Sequence, residues 1–176
     1  IFNRSYYEEV LVVRVHPSFL TPQRLPPHTL GEGLWKQRFQ QINNFEKYLL
    51  DQGTEILKIY LNVSKEEQRQ RQLDRIDRPE KNWKFSAGDI AEREYWDQYL
   101  AAYEDVFAHT STSCAPWYIV PADKKWFTRL ATAAIIGAKL KEMDPAFPVL
   151  SEDERQKMLA ARAVLLAEGS ATEGSA

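Results

Sequence analysis

The sequence predicts an α/β domain with a parallel sheet. Two observations carry this: short β-branched runs alternate with segments of helical spacing, and the connections between strands are long enough to hold crossover helices. A third bounds the class. The 176 residues are 44% hydrophobic and 27% charged, the composition of one ordinary globular domain. In such sheets ligands collect at the carboxyl ends of the strands.

Each element follows from local pattern. Ile1-Phe2 reads as a strand end running into a polar cluster, Asn3 to Glu9, and Val12 to Val15 reads as a short buried strand. Residues 17–33 hold four Pro and two Gly and predict a surface loop. Leu34 to Leu50 carries Leu34, Phe39, Ile42, Phe45 and Leu49 at helical intervals, with Gly53 as a stop. Glu55 to Val63 alternates as a strand. Ser64-Lys65-Glu66-Glu67 is a capping box that starts a helix at Lys65, and Pro79 ends it. Asp89 to Ala108 predicts a helix, Trp117 to Val120 a strand and Lys124 to Met143 a long helix, with Asp123 as its cap. Ser151 to Ala167 is a further helix, and residues 168–176 read as a disordered tail.

Charge and special residues exclude several functions. A net charge of −2 argues against general binding of nucleic acid or membrane surface. No apolar stretch approaches the roughly 20 residues of a membrane span, and no basic n-region precedes an apolar run as in a signal peptide. The single cysteine, Cys114, fits a reducing cytoplasm and reads as a small packed residue. His16, His28 and His109 lack metal-ligand spacing. Gly31-Glu32-Gly33 lacks the Gly-Lys-Ser/Thr ending of a phosphate loop. Trp117 and Trp126 read as core rings, with a shelf for a base as the alternative.

The chemistry concentrates between Lys65 and Lys84. Arg71, Arg75 and Arg78 fall at i, i+4 and i+7 on one helix face, Leu73 and Ile76 lie on another that can dock, and Lys81 and Lys84 flank Trp83 beyond Pro79. Guanidinium forks so placed suit phosphate oxygens. The same pattern fits a solvated helix, because Glu66, Glu67, Asp74, Asp77 and Glu80 are interleaved. At the opening cluster Arg4 could hold a phosphoryl group and Glu8 or Glu9 could serve near a metal; a turn with surface charges is the alternative.

Five stretches then occur in order: FNRSYYE at 2–8, EEQRQRQLDR at 66–75, RPEKNWKFSAGD at 78–89, EYWDQY at 94–99 and APWYIVPADKKW at 115–126. Together they resemble the second family of polyphosphate kinases, over roughly residues 1–150. The resemblance implies a P-loop kinase-like three-layer αβα fold with a helical lid at about 64–90. The chain would be the C-terminal part of that domain, and the N-terminal half, with the Walker A loop, would precede IFNRS. It implies Mg²⁺-dependent transfer of phosphoryl groups between inorganic polyphosphate and adenine or guanine nucleotides, AMP and ADP among them. By the same resemblance Arg4, Arg71, Arg75, Lys81 and Lys84 carry phosphate contacts. Arg69 and Arg78 are further candidates, and Asn3 and Glu8 lie at the substrate. Trp83 and Asp89 shape the lid. Asn3 stands where many members have a magnesium-associated Asp and marks a branch acting on both AMP and ADP. Dimers or tetramers are expected. Two other readings stay open: a non-catalytic polyphosphate-binding or oligomerisation fragment, and an α/β domain whose basic helix binds another phosphorylated ligand or RNA.

Overall fold

The computed structural model describes residues 1–31 and 33–173, so Glu32 of the Gly31-Glu32-Gly33 segment and the last three residues of the expected tail lie outside the described residues. The chain forms two compact units, Ile1–Ile136 and the segment from Gly137 onward.

In the first unit the chain begins with a 3-10 turn, Tyr6–Val10, followed by a one-turn helix α1, Val12–Val15. This corrects the strand expected at Val12 to Val15. The Ser5 hydroxyl accepts from the Tyr7 N–H at 3.3 Å and starts the helical path. Burial of Val10, Leu11, Val13 and Val15 then outweighs β-branched strand preference, which is weak beside tertiary packing. Residues 17–33 are a connection, as expected, with short 3-10 turns at Pro17–Gln23 and Pro27–Thr29. Helix α2, Leu34–Asp51, ends as Gly53 takes a positive φ of 82°.

Strand β1, Lys58–Asn62, pairs in parallel with β2, Trp117–Pro121, Lys58 standing opposite Trp117 and Asn62 opposite Pro121. Between them run α3 (Lys65–Asp77), α4 (Ala87–Ala91) and α5 (Trp96–Thr110). The single helix expected over 89–108 is thus broken by a 3-10 turn at Glu92–Tyr95. Two helices follow in the chain, α6 (Lys125–Met143) and α7 (Glu152–Glu173).

The core gathers Tyr7, Val10, Leu11, Val15, Phe39, Ile42, Ala102 and Val106, with Trp35, Tyr95, Tyr103, Phe107 and Trp117 packed around it. It therefore joins the opening turn, α2 and α5 beside the amino end of the ladder. In the second unit α7 opens with a full capping box. The Glu154 N–H donates to Ser151 Oγ at 3.3 Å, and the Glu154 carboxylate accepts from the Ser151 N–H at 2.8 Å. Residues 168–173, expected to be disordered, continue this helix.

Candidate functional site

The carboxyl ends of β1 and β2 meet the starts of α3 and α6. The Ala122 N–H extends the ladder by donating to the Asn62 carbonyl at 2.8 Å. Ser64 caps α3, its Oγ accepting from the Glu67 N–H at 3.1 Å. The return bond, expected from Glu67, comes instead from Asp123, whose Oδ1 accepts from the Ser64 N–H at 2.7 Å. That bond holds the Asp123 carboxyl below the usual carboxylate range. So Asp123 caps α3, while the carbonyl of Lys124, the residue before α6, accepts from the Thr128 N–H at 3.0 Å. Glu67 turns toward Arg71, whose Nε donates to it at 2.8 Å. The other arm of Arg71 donates to the Ala122 and Asp123 carbonyls at 2.7 and 3.3 Å. Around this junction lies a crevice of about 370 Å³ lined by Asn62, Ser64, Ala122, Asp123, Trp126 and Phe127, among others.

The basic segment is confirmed as a capped helix, but its cations are engaged. Arg69 pairs with Glu66, Arg75 reaches Gln72 and Asp89 at 3.2 and 3.3 Å, Arg78 reaches Glu80 at 2.8 Å, and Lys81 pairs with Asp74. Hydrogen bonds from Arg69 and Gln70 pull the Glu66 carboxyl down to about 2, and Lys81 lowers Asp74. Lys84 lies 4.8 Å from the centre of the Trp83 ring, which is 79% exposed. Leu73 and Ile76 do not dock: both are exposed, and Gln72 is the buried residue of this helix. A helix face with so many outward charges cannot bury its apolar positions without stranding its neighbours.

At the opening cluster Arg4 and Glu8 clamp each other, one helical turn apart. The Glu8 hydrogen bond raises Arg4 and the Arg4 bond lowers Glu8. Asn3 is exposed. Among the described residues no hydrogen bond or ion pair joins Arg4, Asn3 or Glu8 to the α3 cations. Sequence reasoning missed the residues that anchor this cluster. Glu46, 1% exposed, accepts from the Tyr6 and Tyr7 hydroxyls at 3.0 and 2.8 Å and from Lys58 Nζ at 2.6 Å. Lys58, itself buried, also donates to the Thr110 carbonyl at 2.7 Å. Burial pushes Lys58 down and both tyrosines up. A charged residue inside an apolar strand run, Lys58 in EILKIYLNV, was the available signal.

Two lesser expectations change, at Cys114 and Trp126. Cys114 is exposed rather than packed. Trp117 is half-buried, its indole N–H donating to Thr110 at 3.0 Å, whereas Trp126 is 67% exposed and is not core. His16 contacts Glu92 at 3.0 Å and His109 the Asp105 carbonyl at 2.8 Å, both structural contacts. Among the described residues no three His, Cys, Asp or Glu side chains group so as to hold a metal ion, so those residues do not by themselves fit a protein-built Mg²⁺ site. No helix among them is long and apolar enough to cross a membrane.

A parallel ladder whose carboxyl ends feed α3 and α6 and border a crevice is the arrangement of an α/β protein, the class in which ligands collect at the strand ends. The chain belongs to the polyphosphate kinase 2 family: the model of Polyphosphate kinase 2 (PPK2) matches residues 1–148. The fold agrees with the crystal structure of Polyphosphate Kinase 2 from Arthrobacter aurescens TC1 at a TM-score of 0.77. That likeness has 41% identity and covers 95% of this chain and 53% of the other. An ADP-polyphosphate phosphotransferase of Rhodopseudomonas palustris is 46% identical over 167 residues, 94% of this chain and 58% of that protein. An AMP/ADP-polyphosphate phosphotransferase of Meiothermus ruber is 45% identical over 148 residues, 84% of this chain and 51% of the other. The chain thus spans little more than half the length of these relatives. An uncharacterised protein of Leptolyngbya boryana is 56% identical over 135 residues, which cover 77% of this chain and 99% of that protein.

Proposed function

We propose that this chain is the lid-bearing part of a polyphosphate-dependent nucleotide kinase, which moves phosphoryl groups between inorganic polyphosphate and AMP or ADP. The observation that carries the reading is the chemistry of α3 and the turn after it. Arg69, Arg75, Arg78 and Lys81 are held only by carboxylates and amides at or near the surface. Exposed ion pairs contribute about 0–1 kcal/mol. A chain of phosphates, carrying several charges within one helix length, displaces them at small cost and offers the guanidinium forks matched oxygens. The names of the Rhodopseudomonas and Meiothermus relatives support the substrate pair.

Phosphoryl transfer asks the protein for position and for cations where oxygens gain charge. In this reading Arg75, Arg78, Lys81 and Lys84 receive the polyphosphate. Arg71 braces the base of the lid on the Ala122 carbonyl, and Arg4 meets the reacting phosphates once released from Glu8. Magnesium is proposed to travel on the phosphates, since Mg²⁺ in such sites takes few protein ligands. Self-association and a cytoplasmic setting belong to the same proposal. The second reading, polyphosphate binding without turnover, rests on the same basic segment, since binding asks only for the cations of α3 and the turn after it.

Phosphorus NMR of the protein with Mg²⁺, ADP and polyphosphate separates the two. ATP growth matched by polyphosphate loss is expected for the kinase. Binding with no ATP would leave the second reading, and no binding at all would remove both.

A further inference from the structure

Trp126 has no structural task that its exposure would explain. It sits in the first turn of α6 and lines the crevice at the strand ends, 67% exposed. Among the described residues its only ring neighbour is Phe127, edge-on at 5.8 Å. The crevice, about 370 Å³, has a floor in Ala122, which is buried. Its polar lining is sparse. Ser64 Oγ accepts from the α3 backbone and its hydroxyl faces the Asp123 carboxylate, while the Asn62 amide has no hydrogen-bond partner among the described residues. Lys124 stands at the margin.

An exposed ring beside an apolar floor, with one free amide and a flanking ammonium, is poorly suited to a polyphosphate chain, which gains nothing from aromatic surface. It suits a planar base joined to a phosphate. Aromatic faces stack bases, and an Asn amide pairs in two-point fashion with the edge of adenine. The other crevice of similar size, about 330 Å³ around Tyr60, Tyr103 and Arg93, lacks this character. There Tyr60 and Tyr103 pack on each other at 4.5 Å, and Arg93 is occupied by Gln68 and the Lys65 carbonyl.

We infer that the strand-end crevice is a purine-nucleotide subsite in which the base stacks on Trp126, Asn62 reads its edge and Lys124 faces its phosphates. The assignment rests on the kinase reading for why a nucleotide is bound. It adds that nucleotide and polyphosphate meet different surfaces: the nucleotide the crevice, the polyphosphate the outer side of α3. Arg71, rooted on the crevice floor and on α3, links the two.

The test is calorimetric titration of the full chain and of Trp126→Leu with ADP, adenosine and polyphosphate separately, alongside turnover by phosphorus NMR. Loss of one stacked base predicts ADP and adenosine affinity lowered roughly five- to a hundredfold in Trp126→Leu, with Trp126→Tyr close to the parent. Polyphosphate affinity should stay within about twofold. ADP affinity unchanged in a folded Trp126→Leu overturns the subsite, and so does an equal loss for ADP and polyphosphate, which would mark a structural role. Should Trp126→Leu fail to fold, Asn62→Ala decides: reduced preference for ADP over GDP supports the subsite, and an unaltered preference overturns it. If the parent protein binds ADP at Trp126 and never consumes polyphosphate, the kinase reading falls while the subsite stands. Polyphosphate binding with no ADP binding removes the subsite alone.

Discussion

Glu46 accepts from three donors with one carboxylate, the Tyr6 and Tyr7 hydroxyls and Lys58, and Lys58 donates onward to the Thr110 carbonyl. Removing one partner of a buried ion pair leaves a charge with neither water nor counter-ion. Lys58→Met is therefore expected to destabilise the first unit by about 3–5 kcal/mol. Glu46→Gln with Lys58→Met should lose less than the two single changes summed, as denaturant midpoints would show. The exposed carboxylates give a second expectation at this scale. Glu8, Glu66, Asp74, Asp123 and Glu154 are all held below their ordinary values, Glu66 at about 2. Between the folded and the ordinary values the unfolded chain binds more protons, so stability is retained above about pH 4.5 and falls as pH drops toward 2. Thermal melts across that window should show the loss, and Asp123→Asn should reduce its slope. Neither residue role was legible from periodicity. The helical spacing of α2 pointed to Phe45, yet Phe45 is 46% exposed and Glu46 is buried, because only the opening turn supplies the hydroxyls that make burial of a carboxylate tolerable.

At the scale of elements, α3 was the most legible and its partners the least. Ser64, the start at Lys65 and the stop before Pro79 all followed from local rules, since a cap and a proline act within one turn. Which acid completes the cap did not, because Asp123 is brought there by strand pairing. Ser64→Ala should cost about 1 kcal/mol of stability. Arg75→Ala and Lys81→Ala are each expected to weaken polyphosphate binding roughly three- to tenfold, the effect of one cation near a protein surface. Arg71→Ala should instead impair both polyphosphate and nucleotide, because its fork holds backbone rather than solvent. Isothermal titration of the three variants would separate these roles. The strand expected at Val12 to Val15 failed for the opposite reason to α3's success. A four-residue β-branched run has no internal signal strong enough to decide its form, and the surrounding burial decided it.

For the whole molecule, the net charge of −2 sets how a polyanion arrives. Long-range steering needs a field of one sign, which that net charge does not supply; in the proposed reading attraction begins within a Debye length of the basic α3 face, about 8 Å at physiological salt. Lowering the ionic strength should accordingly lengthen that reach and speed polyphosphate capture more than it slows release, which stopped-flow rates would resolve. The α/β class and the order of helices and strands were readable because alternation persists along the chain. The two-stranded extent of the sheet was not, since pairing depends on residues far apart. That distance has a consequence for how the chain acquires its structure. Ser64 and Asp123 are 59 residues apart, and Asn62 finds Pro121 across the same span. The ladder and the cap of α3 therefore close one large loop together, at an entropic cost that grows with the logarithm of its length. A slip of one residue in β1 would turn Lys58 away from Glu46 and carry Ser64 off Asp123 at once. Register is thereby checked at both ends of a five-residue strand, and α3 gains its completed cap only after the chain has passed that check.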